Sequence, residues 1–519
     1  MQRRFFYTAL AVMSALLVLT GMLYGYSQIV VFFKTGADQA AMMLPDADKV
    51  KVQYRPQVAW TSLEVANGRK LEQATIDQLT EDYLAANFYL FENNEAEQSV
   101  GLKDYYTRDA REKLVRFASM TEQSEQQHTG TTISHVLTPE FYAEDGTLLV
   151  LSDEVVSYHR IYNQGSFLSY YDTSRYDVML LLEDNNWRIR HKMRSLSRQQ
   201  YQAHEQEPNR ISISGGQFLE DGQIFTLNAL NYYPQQHPWS EMWQNFGVID
   251  FANDFKLTRS LGFNAIRIFV QYDEFGADRV DPRRIAQLQR LLDEADRAGL
   301  KVIITLFDFF LSYEVNTWTL SDQHLRQVVE GVKNHPALFA WDLKNEPDLD
   351  FEQSGEAEVM EWLRFIALRL RTYDPDHLLT VGWSQPEHAN KLDPLLDFQS
   401  FHFYRSAEEL ESFLADNAGN EKPLFAGELG LHSYNSWWFP FRKSETDQQQ
   451  HVAQLLDVVK EYDISYGFWT LYDFRQVPSN VAGRLPWRRN PQKHFGLIDS
   501  KGRQKLVYKT ILEHNCYEK

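Results

Sequence analysis

From residue 225 to the C-terminus, short apolar runs alternate with longer amphipathic stretches, and nothing else in the chain constrains its fold as strongly. Runs at 225–233, 265–270, 301–307, 338–345, 378–383, 400–404, 424–428 and 466–471 read as buried strands. Helical patterns lie between most of them. Over 282–298, for example, Ile285, Leu288, Leu291, Leu292 and Ala295 repeat on one helical face. Such alternation specifies an α/β architecture with a parallel sheet, because each helical crossover returns the chain to start the next strand in the same direction. Eight βα units predict a closed (β/α)8 TIM barrel over residues 208–519. A doubly wound sheet is the competing arrangement. It would carry a Gly-rich phosphate loop after its first strand, and Asn228-Ala-Leu-Asn-Tyr-Tyr233 has none.

The 519 residues exceed one ordinary domain. A polar, Glu/Gln-rich stretch at 199–209 with Pro208 marks a boundary. Before it, 75–93 carries Ile76, Leu79, Leu84, Phe88, Leu90 and Phe91 at helical spacing, and a second helix fits 107–123. Strands follow at 131–137, 148–163, 165–182 and 187–195, with turns at 163–165 and 183–186. Helices followed by a curled antiparallel meander make 71–200 a small α+β, cone-like domain that resembles the nuclear transport factor 2-like fold. That resemblance implies a cone that holds a ligand or a face for a homodimer. A spacer or docking module without chemistry is the competing reading.

Residues 35–70, with Pro45 and Pro56, read as a linker or stalk. Residues 1–34 place Arg3 and Arg4 before an uncharged, apolar run from 5 to 33. The run is long enough to span a bilayer, which takes roughly 20 residues. It predicts a single-pass transmembrane helix with a cytoplasmic tip in the inner membrane and the remainder periplasmic, or otherwise extracytoplasmic. A cleaved signal peptide competes with this, although its apolar core would be shorter. A net charge of −19 argues against a nucleic-acid partner. Cys516 stands alone and cannot form an intramolecular disulfide.

Barrel enzymes gather their catalysts at the C-terminal ends of the strands. Read in order, those ends carry Tyr232 in the first strand, Arg267 in the second, and Asn345-Glu346 closing Trp341-Asp-Leu-Lys-Asn-Glu-Pro347 in the fourth. Trp383 ends the fifth. The sixth contributes His402 and Tyr404, the seventh Glu428 in Gly427-Glu-Leu-Gly430, and the eighth Trp469. Two carboxylates at two strand ends are the minimum set for cleaving a glycosidic bond. With its lead-in His335-Pro-Ala-Leu-Phe-Ala-Trp341 and its Asn345-Glu-Pro347, the region from 211 to 512 resembles the retaining glycoside hydrolases of clan A, closest in style to family 5, the cellulase and mannanase type.

The resemblance implies Glu346 as acid/base and Glu428 as nucleophile. It implies that Arg267 keeps the nucleophile ionised, that Asn345 contacts the sugar 2-hydroxyl, that Tyr404 bonds to the nucleophile beside His402, and that Trp469 lies under the sugar. Tyr232 and Trp383 complete the expected substrate-binding set. The roles are physically coherent: a guanidinium and a phenol favour a charged nucleophile, and an aromatic face suits a pyranose whose anomeric carbon turns positive. One position departs from the pattern. Many family members carry a His after the third strand, whereas here Phe307 is followed by Asp308, Phe309 and Phe310, which predicts an apolar, aromatic wall on that side of the cleft.

No cofactor motif is visible. The histidines at 432, 451 and 494 lack metal-ligand spacing. Trp437-Trp438 is the best candidate for an outer sugar subsite. The expected protein is a membrane-anchored retaining glycosidase acting on a β-linked polysaccharide or oligosaccharide, with endo action favoured by the aromatic loops. A transglycosylase on the same site, or a non-catalytic envelope glycan-binding or assembly protein, are the alternatives.

Overall fold

The structure is a computed structural model that describes residues 54–62, 65, 67–92, 101–114, 127–163, 166–194, 211–417, 419–482 and 485–516. The apolar run at 5–33 lies outside these residues. Among the described residues, no helix is long and apolar enough to cross a membrane.

Eight parallel strands close into a barrel. They are β1 (Asn228–Asn231), β2 (Ala265–Gln271), β3 (Lys301–Asp308), β4 (Leu338–Asn345), β5 (Leu378–Trp383), β6 (Gln399–Phe403), β7 (Leu424–Leu429) and β8 (Ser465–Phe468). The ring closes where β1 pairs with β8 at Ala229 and Gly467. Helices flank it as their sequences dictate. The helix Pro282–Arg297 starts on Asp281, whose side chain caps the Arg283 N–H, and it buries Leu288, Leu291, Leu292 and Ala295. A short antiparallel sheet, Ile211–Ser214, Gln217–Glu220 and Gln223–Ile224, precedes the barrel. Its Phe218 packs edge-on against Phe339 and Phe398, at 5.3 and 5.1 Å between ring centroids, and joins Ala265, Ile303 and Ala340 in one apolar cluster. These rings plug the N-terminal end of the barrel, which leaves the C-terminal end as its mouth.

The strand register shifts near the mouth on several strands: between Phe269 and Gln271 on β2, Asp342 and Asn345 on β4, Phe401 and His402 on β6, and Ala426 and Leu429 on β7. Such irregularities re-aim side chains that a regular strand would send to alternate faces.

The N-terminal domain is α+β. The helix Gln73–Glu92 packs on a sheet of long antiparallel strands, Gln127–Tyr142, Leu148–Asn163, Ser166–Glu183 and Asn186–Arg194. The strand Gln57–Trp60 pairs in parallel with Gln127–Tyr142, so part of the segment expected as a free stalk belongs to this sheet. Under the helix, His135 Nδ1 and the Tyr83 hydroxyl both reach Asp153 Oδ2, at 2.8 and 2.6 Å.

The two domains share a packed seam. Tyr158 lies 4.4 Å from Trp318, centroid to centroid, and its hydroxyl donates to Glu361 at 3.0 Å. Ile133 and Tyr158 belong to the same buried cluster as the barrel core. Arg55 pairs with Asp278 at 2.9 Å, and Gln57 donates to Asp322 at 3.0 Å.

Candidate active site

Arg267 organises the mouth. Its buried guanidinium projects from β2 and bonds to four neighbours. Nη1 donates to Glu428 Oε1 at 2.8 Å and to Asn231 Oδ1 at 3.1 Å. Nη2 donates to Asp342 Oδ2 at 2.6 Å and to Asn345 Oδ1 at 2.9 Å, and Nε reaches the same Asp342 oxygen at 3.0 Å. Burial opposes a charged guanidinium, but Asp342 and Glu428 outweigh it and raise the affinity of Arg267 for its proton. Its plane also lies over Phe269, 4.7 Å from the ring centroid.

Space for this group depends on Gly382. A Cβ there would stand 2.8 Å from Arg267 Nη2 and 3.2 Å from both Asp342 Oδ2 and His402 Nε2. The Gly382 N–H donates to Asp342 Oδ1 at 2.9 Å, which fixes the carboxylate that holds the arginine.

The two expected catalytic carboxylates face each other across His402. Glu428 is nearly buried, with Arg267 on one oxygen and the Tyr404 hydroxyl on the other at 2.6 Å. Burial and then the Glu428 charge raise the Tyr404 hydroxyl well above its ordinary pKa, so it stays a donor. Glu346 is more open. It follows β4 directly in the left-handed conformation, φ 48° and ψ 51°, and its N–H donates to the Gly382 carbonyl at 2.7 Å. Pro347 then starts a short 3-10 turn. Strained backbone of this kind clusters at functional sites.

His402 Nδ1 lies 2.8 Å from Glu346 Oε1 and 3.6 Å from Glu428 Oε2. Burial favours the neutral ring, yet Glu428 and Glu346 prevail and raise its pKa above the ordinary value. One ligating atom from each of Glu346, His402 and Glu428 lies within 4.8 Å of the others. That spacing would also suit a cation, but both Glu428 oxygens already accept hydrogen bonds from the protein. The donor set therefore reads as proton-transfer machinery better than as a metal site.

Trp469 follows β8 with its N–H on the Leu429 carbonyl, and its ring meets Tyr233 and Phe269 edge-on, each at 6.3 Å. Arg267, Asn345, Glu346, His402, Tyr404, Glu428 and Trp469 thus converge at one mouth.

Two expected binding residues point elsewhere. Tyr232 alternates outward from Asn231 and is fully buried against Phe251 and Phe255, its hydroxyl on Asp254 at 2.7 Å. Trp383 alternates outward from Gly382 and is buried between Phe351 and His388. After β3, where an aromatic wall is expected, Phe309 is 36% exposed and Phe310 stacks on Trp362 at 4.7 Å. Phe307 turns out to Trp362, 5.0 Å away, while Asp308 faces the mouth near Tyr233 and Gln271. Burial pushes the Asp308 carboxyl up to about 7, against the pull of Lys344 and Arg267.

Asn231, Asp342, Tyr233, Gln271, Asp308 and Lys344 were not singled out from the sequence. Asp342 offered a signal: it is a carboxylate directly after the apolar run Leu338–Trp341 of a buried strand, and such a group needs a buried partner.

A parallel barrel with two close carboxylates at its mouth is an arrangement that glycosidases use. Residues 223–475 match the profile of the family described as Cellulase (glycosyl hydrolase family 5). The putative mannan endo-1,4-beta-mannosidase P of Arabidopsis thaliana is 26% identical over 308 residues, covering 43% of this chain and 73% of the relative. Human beta-glucuronidase is 24% identical over 295 residues, covering 53% of this chain and 42% of that protein. The chain superposes on an exo-beta-1,4-mannosidase from Opitutaceae bacterium strain TAV5 with a TM-score of 0.51 at 22% identity, over 59% of this chain and 62% of that one. Over residues 223–475 the barrel is similar to the family 5 glycoside hydrolases.

Proposed function

We propose that the protein is a retaining β-glycosidase in which Glu428 is the nucleophile and Glu346 the acid/base. The observation that carries this reading is the pair's closeness: facing oxygens lie within 4.8 Å. Retaining enzymes hold their carboxyl groups about 5–5.5 Å apart, and inverting enzymes about 6.5–9.5 Å, to admit a water. A Glu428 oxygen attacks the anomeric carbon while Glu346 protonates the departing glycosidic oxygen, giving a glycosyl ester and a free alcohol. Glu346 then takes a proton from water, the hydroxide adds at the anomeric carbon, and Glu428 leaves as a carboxylate. Arg267 and Tyr404 receive its returning charge.

The mannosidase names among the relatives support a β-linked mannan-type or related polysaccharide as substrate. The apolar run at 5–33 supports a membrane anchor with the barrel on the extracytoplasmic side.

The test is hydrolysis of aryl β-glycosides and a β-glycan panel by Glu346→Gln and Glu428→Gln, with NMR of the first-formed anomer. Each variant is expected to lose about 10²–10⁴-fold in kcat, and the product to keep the β configuration. Undiminished turnover in either variant, or an α product, would refute the assignment.

A further inference from the structure

About one residue in seven of this chain is Asp or Glu (71 of 519), yet two segments at the mouth have none. Residues 429–444, which follow the Glu428 strand, carry Arg442 and Lys443 and no acid. Residues 474–498, which follow β8 and Trp469, carry Arg475, Arg484, Arg488, Arg489 and Lys493 and no acid. The fold joins these segments. The Ser433 N–H donates to the His494 carbonyl at 2.9 Å, Asn490 donates to the Tyr434 hydroxyl at 3.2 Å, and the Tyr434 and His494 rings stack at 5.3 Å.

The surface they form is basic and aromatic. Trp437 is 90% exposed, Phe441 72% and Trp487 52%. Arg442 and Lys443 follow Phe441 in the chain, Arg488 follows Trp487, and Arg475 lies at the start of the second segment; all four are exposed. Among the described residues, none of these four has a carboxylate at ion-pair distance. The positive field reaches inward: burial, then His494, Lys443 and Lys505, push the His432 imidazole down to about 4. The root of the surface touches the reaction centre. Phe495 packs on His432 at 5.9 Å and on Tyr404 at 5.8 Å, and Tyr404 holds Glu428.

We propose that this lip recognises an anionic glycan, a β-linked polysaccharide bearing carboxylate, sulfate or phosphate groups, and feeds it to the adjacent cleft. The inference rests on the hydrolase reading above and names its substrate class. Exposed rings offer flat apolar faces to sugars, and guanidinium groups pair with planar anions through two parallel hydrogen bonds. An otherwise acidic protein would repel such a polymer except where a patch of opposite sign receives it. Exposed tryptophans among basic residues also suit an anionic lipid surface. Continuity with Tyr404 and Glu428 favours the glycan, since a lipid surface has no need of that route.

The test measures retention of the full chain, in nonionic detergent, on polymannuronate and carboxymethyl cellulose against neutral β-mannan and hydroxyethyl cellulose. Phosphatidylglycerol vesicles form a third arm. The wild type is expected to hold the anionic polymers more tightly, and to lose that preference in about 1 M salt, where the screening length is about 3 Å. Trp437→Ala/Arg442→Gln/Arg488→Gln is expected to weaken retention about tenfold. Lys256→Gln/Lys509→Gln, on the outer helices, is expected to change it little. Equal retention of charged and neutral polymers, or equal losses in the two variants, overturns the proposal. Lip-dependent retention on vesicles alone overturns it in favour of the membrane. Because retention needs no turnover, a protein that binds but cleaves nothing refutes the hydrolase reading alone. One that cleaves charged and neutral polymers alike, with no lip effect, refutes the lip alone.

Discussion

Replacing Asp308 by Asn should stabilise the protein at alkaline pH and leave it nearly unchanged in acid. Asp308 is 4% exposed, and burial pushes its carboxyl from 3.8 up to about 7 despite Lys344 and Arg267. A folded state that keeps this proton longer than the unfolded chain loses stability as pH rises from about 4 to about 7. Above that window the whole penalty is in place. At ~1.36 kcal/mol for each tenfold change in proton affinity, it amounts to about 4 kcal/mol. Asn cannot ionise, so the variant avoids the penalty. The gap between variant and wild type should be near zero at pH 4 and grow to the order of 4 kcal/mol by pH 8. In a domain of this size that corresponds to roughly 5–10 °C in melting temperature. Chemical denaturation or scanning calorimetry at half-unit pH steps would trace the difference curve. Parallel curves from pH 4 to 8, or a gap that widens towards acid, would refute the reasoning.

Two further substitutions probe the geometry. Tyr232→Phe removes a buried donor to Asp254 and should lower stability by about 1–2 kcal/mol, with kcat/KM within about twofold of wild type; a large activity loss without a melting change would return Tyr232 to the cleft. Gly382→Ala places a methyl 2.8 Å from Arg267 Nη2 and should cost about 1–3 kcal/mol of stability, together with most of the activity; unaltered kinetics would mean that the arginine does not need its present position.

How far the sequence revealed this site depended on strand regularity. The eight strands were legible because fully buried parallel strands are nearly continuous apolar runs. Glu346 and Glu428 were legible because they follow such runs directly. Alternation misled at β1 and β5, where Asn231 and Gly382 take the inward places and Tyr232 and Trp383 face the helices. Asp342 and Asn345 both reach Arg267 although they are three residues apart. A regular strand would send them to opposite faces, and only the register shift between them lets both turn inward. That shift left no mark in the local composition. The inward turn of Asp308 past Phe307 was hidden for the same reason.

The seam between the domains bears on where the barrel may be cut. By sequence, the polar stretch at 199–209 is the obvious place to separate them. In the fold, Trp318 on the barrel is covered by Tyr158 and Arg160 from the other side. Asp322 and Glu361 receive bonds from Gln57 and Tyr158. A barrel expressed from residue 211 onwards would present a newly wet indole along its flank, with Asp322 left to Arg369 and Tyr373 and Glu361 to Arg364, an adhesive strip with no place in the intact protein. The unit to purify runs from at least residue 54.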